Sequence, residues 1–326
     1  METAFSPQPG QLVQHPAGHD GELRGAVEEL RAGRWQAARA LLAGSWSVRS
    51  LWTSRTQALG VVAAHTDVLR HWAREEPSGF GLVTLQARAS VELALMAAQT
   101  HAEPPEVAAR EREARGWCWQ AASTLAGDPV PWIGLLALAQ LDPGQARPEH
   151  RVAAPDQMLP PGPWGLLNQA HLADPWCREA FHRMLRFWLA RGDGGTAAEF
   201  VATYLPAAPS GSPLYALPLY LQVDRYRRAE RKEAVALLWT NDQGVKAAAW
   251  RAYEHWRTAR SAGDRWLVTD ESHLAHALWA TRKPEQAAEV FASLDPFVSS
   301  QPWASLSGRP EDLLRQAMAQ SFAAVR

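Results

Sequence analysis

The chain has 326 residues, 47% of them hydrophobic and 21% charged, and its 33 basic and 34 acidic residues leave a net charge of −1. That balance supplies no global field to draw in nucleic acid or anionic lipid, and the length suits two domains or a stacked helical array. Sixteen Trp outnumber the 5 Tyr and 8 Phe combined, so many indoles must sit at helix contacts or along the wall of a cavity.

Residues 1–19 contain prolines and glycines without periodicity and are expected to form a disordered lead. They have neither a basic n-region nor an apolar h-region, so no secretory signal is expected. Asp20 caps the first expected helix, with Leu23, Ala26, Val27 and Leu30 on one stripe and Gly33 as its stop. A second helix follows with Trp35, Ala38 and Leu42 inward.

Residues 50–76 read as helix with a break near Thr66. Leu82, Leu85, Ala89, Leu93 and Met96 form the next stripe, and Val107, Ala114, Trp117, Ala121 and Leu125 the one after. Asp128-Pro129 opens a short apolar helix, since Asp caps and Pro suits the first turn. Residues 20–141 are thus an N-terminal helical array.

Residues 142–163 carry six prolines and no stripe, which predicts a linker or strap. Beyond it, residues 164–326 form a C-terminal array. Asp174-Pro175 opens a helix with Cys177, Phe181, Met184 and Trp188 on its core stripe. Ser212-Pro213, Thr269 and Asp295-Pro296 mark later starts, and the last stripe holds Leu314, Met318, Phe322 and Val325. No segment alternates with period two, so the expected fold is all-α.

Cys118 and Cys177 have neither a pairing nor a zinc spacing, which fits a reducing cytoplasm. The uncharged run from Phe200 to Val223 is broken by repeated prolines and does not read as a membrane span.

Residues 196–206 and 286–296 share Ala-Ala-Glu, a later Ala and a closing Pro, a degenerate internal repeat. Gly33-Arg34-Trp35-Gln36-Ala37-Ala38-Arg39-Ala40-Leu41-Leu42 resembles the second helix of a tetratricopeptide repeat. Ala287, Phe291 and Asp295-Pro296 match that pattern again, with Pro284 in the aromatic slot. The resemblance implies antiparallel helix pairs stacked as an α-solenoid or helical array. The centre, from Asp174-Pro175 through His182, Gly194-Gly195 and Ala208-Pro209-Ser210-Gly211-Ser212, resembles an uncharacterised family of bacterial helical proteins, common in actinobacteria. That family carries no established activity.

Two constellations could carry chemistry. Glu179 and His182 share a helical face at the spacing used in di-iron bundles, but no second such pair exists, and a polar stripe with Arg186 is the stronger reading. Asp270, His273 and His276 follow one another at intervals of three near an expected helix start. There two imidazoles could face one ligand, or the acids could complement the helix dipole while the histidines bond to backbone. The second reading leads.

The Arg191–Thr196 glycine turn lacks the strand and Lys of a phosphate loop. The basic run Arg225, Arg227, Arg228, Arg231 and Lys232 is interrupted by acids. No motif calls for a cofactor or supplies a full metal-ligand set.

Trp117 and Trp119 cannot share a helical face, and Trp250 and Trp256 diverge likewise. With Trp279, three residues after His276, they are the candidate ligand-binding indoles. The expected function is a cytoplasmic helical-repeat binding or scaffold protein that holds a peptide or protein partner in a Trp-lined concave groove. The alternative is an enzyme of specialised metabolism with a Trp-walled pocket for a small hydrophobic ligand, worked by these His and carboxylate groups. Neither nucleic acid nor membrane is an expected partner.

Overall fold

The structure, a computed structural model, describes residues 11–259 and 267–325. About 71% of the chain is helical and no strand forms among the described residues. The chain folds as two compact units, Asp20–Thr203 and a second that joins the residues through His19 to Tyr204–Arg326. Residues 142–163 therefore lie inside the first unit rather than between two arrays.

The first unit begins with α1 (Gly21–Arg31), α2 (Gln36–Ser45), α3 (Arg49–Ala63) and α4 (Val68–Glu75). Asp20 caps α1 as expected, its carboxylate accepting from the Leu23 N–H at 3.1 Å, and it also accepts from buried Arg55. The expected break near Thr66 falls between α3 and α4. Next come α5 (Leu82–Gln99), α6 (Pro104–Thr124) and α7 (Val130–Leu138).

Only Trp132 in α7 is not fully buried, as befits a helix apolar on all sides. The helix packs on α5 and α6, and on α8 (Trp164–Ala173) and α9 (Arg178–Ala190). Gly134 permits the approach of α6, because a Cβ there would meet the Cys118 Sγ at 2.8 Å. Asp128 caps α7 through the Val130 N–H and accepts from Trp52 Nε1 and Thr84 Oγ1.

The proline-rich segment is pinned down without a long helix. Val152 and Gly162 exchange backbone hydrogen bonds, and buried His150 bonds Asp142 through Nδ1 at 2.7 Å. Helix α10 (Gly194–Tyr204) closes this part of the chain.

The second unit contains α11 (Leu217–Arg228), α12 (Lys232–Asn241), α13 (Gln243–Arg251), which continues as a π turn to Arg257, and α14 (Val268–Ala280). These are followed by α15 (Pro284–Leu294), α16 (Trp303–Leu306) and α17 (Pro310–Ala323). Its core gathers Leu219, Ala249, Trp256, Leu274, Leu278, Phe291 and Trp303.

Residues 11–19, expected as disordered, are ordered and packed here. Val13 bridges to Phe297, Leu12 and Val13 pack on the core, and His19 stands edge-on to Phe297. Residues 1–10 of the expected lead lie outside the described residues.

Other expectations require correction. On α6 the buried positions are Glu111, Ala114, Cys118 and Ala121, a stripe rotated away from Trp117. Helix α14 starts at Val268 with Leu267 as its cap; Thr269 is already inside it, its hydroxyl paired with Ser299. No helix starts at Asp295-Pro296, which follows the end of α15. Val325 is exposed.

Candidate functional site

Helices α11, α12, α14 and α17 of the second unit surround a half-open cleft of about 850 Å³. That volume falls in the usual range for ligand sites. Its walls carry Tyr226 from α11, Trp239 from α12, and His276 and Trp279 from α14, with Arg282 at the turn after α14.

Sequence spacing accounts for part of this arrangement. His276 and Trp279 are three apart on α14 and so share a side of the helix. Tyr226 and Trp239 stack at 5.3 Å with planes 24° apart, and Trp239 meets His276 edge-on at 4.7 Å. Behind them, Trp303 stands edge-on to His276 at 5.4 Å, its Nε1 donating to the Ser272 Oγ. Trp279 is half-buried, and its Nε1 donates to Gln320 Oε1 at 2.8 Å.

His276 forms the floor, only 3% exposed. Burial pushes its imidazole pKa down to about 3, helped by the neighbouring His273. Desolvation of this kind disfavours the charged ring, so the imidazole is neutral near pH 7. This floor is aromatic and uncharged.

The expected trio on α14 does not converge. Asp270 is buried and accepts a hydrogen bond from the Tyr220 hydroxyl. His273 donates through Nδ1 to the Thr269 carbonyl at 2.8 Å, and its ring stacks on Tyr220 at 3.8 Å. Of the three, only His276 borders the cleft. A residue step of three turns each position by about 300°, so Asp270 and His276 end some way around the helix from each other.

The Glu179–His182 pair is also reassigned. Glu179 is 2% exposed and accepts from Arg88 at 2.8 Å and Arg183 at 3.2 Å. Burial raises its carboxyl pKa, but the Arg88 and Arg183 charges outweigh that and hold it below the usual range. Glu179 is thus a buried, ion-paired member of the expected polar stripe, and it ties α9 to α5. His182 is half-buried.

Among the candidate indoles, Trp279 alone lines the cleft. Trp256 is fully buried in the core, and Trp250 stacks on Tyr253 with the Lys283 Nζ 5.0 Å from its ring centroid. In the first unit, Trp119 is 46% exposed and meets Trp132 edge-on, while Trp117 is half-buried. Trp117 and Trp119 do diverge as their spacing requires.

Sequence reasoning did not single out Trp239 and Arg282 as site residues. Nothing local to Trp239 says that α12 faces α14. The basic run proved structural in part, since Arg227 and Arg228 both donate to Asp224.

Among the described residues, no three His, Cys, Asp or Glu side chains gather as a metal-ligand set. No described helix is long and apolar enough to cross a membrane. No family model, curated protein or solved structure matches the chain.

Proposed function

We propose that this is a binding protein whose second unit takes an aromatic-bearing segment of a peptide or protein partner into the cleft beneath Tyr226, Trp239 and Trp279. The observation that carries this reading is the ring-walled, half-open cleft itself. Trp239 and Trp279 are only half-buried, so part of each indole remains for a partner to cover, and buried aromatic anchors dominate binding energies.

The tetratricopeptide-like reading belongs to the same proposal. It draws support from the α1–α2 and α14–α15 pairs, which pack together and are joined by short turns. A cytoplasmic setting suits the two cysteines, both buried free thiols.

An enzyme working through these groups is the weaker reading. A general base is most effective with a pKa near the working pH, whereas the His276 pKa lies at about 3. Asp270 and His273 are bonded to Tyr220 and Thr269 instead of facing the cleft.

Selection of a displayed random-peptide library on the purified chain tests the proposal. Enriched sequences are expected to carry an aromatic residue and to lose at least about tenfold in affinity with Trp239→Ala or Trp279→Ala, since a well-packed aromatic anchor is worth more than about 1.4 kcal/mol. Enrichment indifferent to both replacements overturns it.

A further inference from the structure

Four described helix ends, after α1, α5, α9 and α14, are built alike, and the last carries an Arg where Gly is usual. After α1, the Gly33 N–H bonds the Leu30 carbonyl at 3.0 Å and the Arg34 N–H bonds the Glu29 carbonyl at 2.8 Å. After α9, Gly192 bonds Leu189 at 3.0 Å and Asp193 bonds Trp188 at 3.2 Å. After α14, Arg282 bonds Trp279 at 3.2 Å and Lys283 bonds Leu278 at 2.9 Å.

These paired bonds make the Schellman stop, whose first residue past the cap must be left-handed and is usually Gly. Gly33 and Gly192 hold φ of 80° and 74°, and Arg282 holds 63°. The end of α5 uses His101 in the same slot, at φ 55°, but His belongs to the types enriched there. Arg does not.

A side chain kept at a conformational cost points to a use for that side chain. Arg282 borders the aromatic cleft and is exposed. Among the described residues no carboxylate forms an ion pair with it, and no Asp or Glu lines the cleft. The Lys232 Nζ lies 5.7 Å from the centroid of the Tyr226 ring. The cleft lining thus combines apolar rings with the Arg282 guanidinium and no carboxylate.

We infer that Arg282 is the anion anchor of this cleft and that the partner segment is acidic, a peptide with a carboxylate beside its aromatic residue. The inference rests on the binding reading above and deepens it. A guanidinium is the side chain best shaped to hold a carboxylate through two parallel hydrogen bonds. The rings then cover the neighbouring aromatic side chain.

Calorimetric titration of the full chain with blocked synthetic tetrapeptides Asp-Trp-Asp-Leu, Asn-Trp-Asn-Leu and Lys-Trp-Lys-Leu tests the inference. The acidic peptide is expected to bind at least about tenfold tighter than the neutral one, with the basic peptide weakest, and added salt is expected to narrow the gap. Arg282→Gln should erase the preference for acid, bringing the acidic peptide's affinity to within about twofold of the neutral one's. Arg282→Gly should do the same and raise the melting temperature, because Gly fits the left-handed slot. This second variant separates loss of charge from loss of fold.

Equal affinity for acidic and neutral peptides on the natural chain overturns the anchor and leaves the cleft reading standing. An acid preference that survives both Arg282 replacements also overturns it. If none of the peptides binds, or if binding ignores Trp279→Ala, the cleft reading itself fails and the anchor falls with it.

Discussion

The Trp239 ring stands nearly perpendicular to the His276 imidazole, with centroids 4.7 Å apart and planes at 79°. Trp303 meets the same imidazole edge-on, with centroids 5.4 Å apart and planes at 82°. An imidazole held among indoles in this way is an aromatic wall more than a proton carrier, and protonating it would place a buried charge beside His273.

This arrangement makes stability depend on pH. The folded-state pKa of His276 is depressed to about 3, while an unfolded histidine titrates near 6.5. The unfolded chain therefore takes up the proton first, and the stabilisation present above about pH 6.5 is lost progressively as pH falls towards 3. Between pH 6.5 and 5 the expected loss from this residue is about 1.5 kcal/mol. His276→Leu should remove that slope, and urea denaturation of both chains at several pH values checks it.

Two indoles near the cleft should behave oppositely on replacement. Trp303 is 1% exposed and bonded to Ser272, so Trp303→Ala is expected to cost about 3–5 kcal/mol of stability. Trp279 is half-buried, and Trp279→Ala should cost clearly less while abolishing peptide binding. Denaturant midpoints beside binding isotherms distinguish the two, and equal stability losses would falsify the division into core and wall.

The Arg88–Glu179 contact predicts a large effect on stability. Glu179→Gln leaves the buried Arg88 guanidinium without its counter-charge, for an expected loss of about 3–5 kcal/mol. Replacing both by apolar residues of similar size, as in Arg88→Met with Glu179→Leu, should recover much of that loss. Unfolding curves of the single and double variants decide the matter. A double variant no better than the single one would show that the pair's hydrogen bonds, including Arg88 to the Thr53 carbonyl at 3.2 Å, matter more than its charges.

Close packing of α6 on α7 gives a further test. Gly134→Ala sets a methyl group against the Cys118 Sγ, 2.8 Å away before any adjustment. Overpacking of this kind is expected to cost about 1–3 kcal/mol. A thermal melt showing no loss would mean that α6 yields freely.

Much of the fold was legible because helices announce themselves locally. The Asp20 and Asp128 caps, the glycine stop at Gly33 and the stripe of Cys177, Phe181, Met184 and Trp188 all depend on residues within a few positions of one another. Such signals are set by backbone hydrogen-bond satisfaction and by the helical period. The same local logic placed His276 and Trp279 on one side of α14.

Tertiary structure decided the rest, because it depends on which faces meet. Glu179 reads as one acid in a polar stripe until Arg88 arrives from α5, 91 positions earlier in the chain, to offset its burial. Trp117 and Cys118 are adjacent in sequence, and only the approach of α7 turns the Sγ inward and leaves the indole half-buried. Residues 11–19 lack any periodic pattern, yet they gain order by pairing with Phe297 and covering apolar surface. The cleft itself exists because α12 brings Trp239 against His276 and the chain accepts Arg282 in a glycine conformation. Sequence determined the helices and their ends through local bonding; non-local burial determined which side chains became core, ion pair or binding wall.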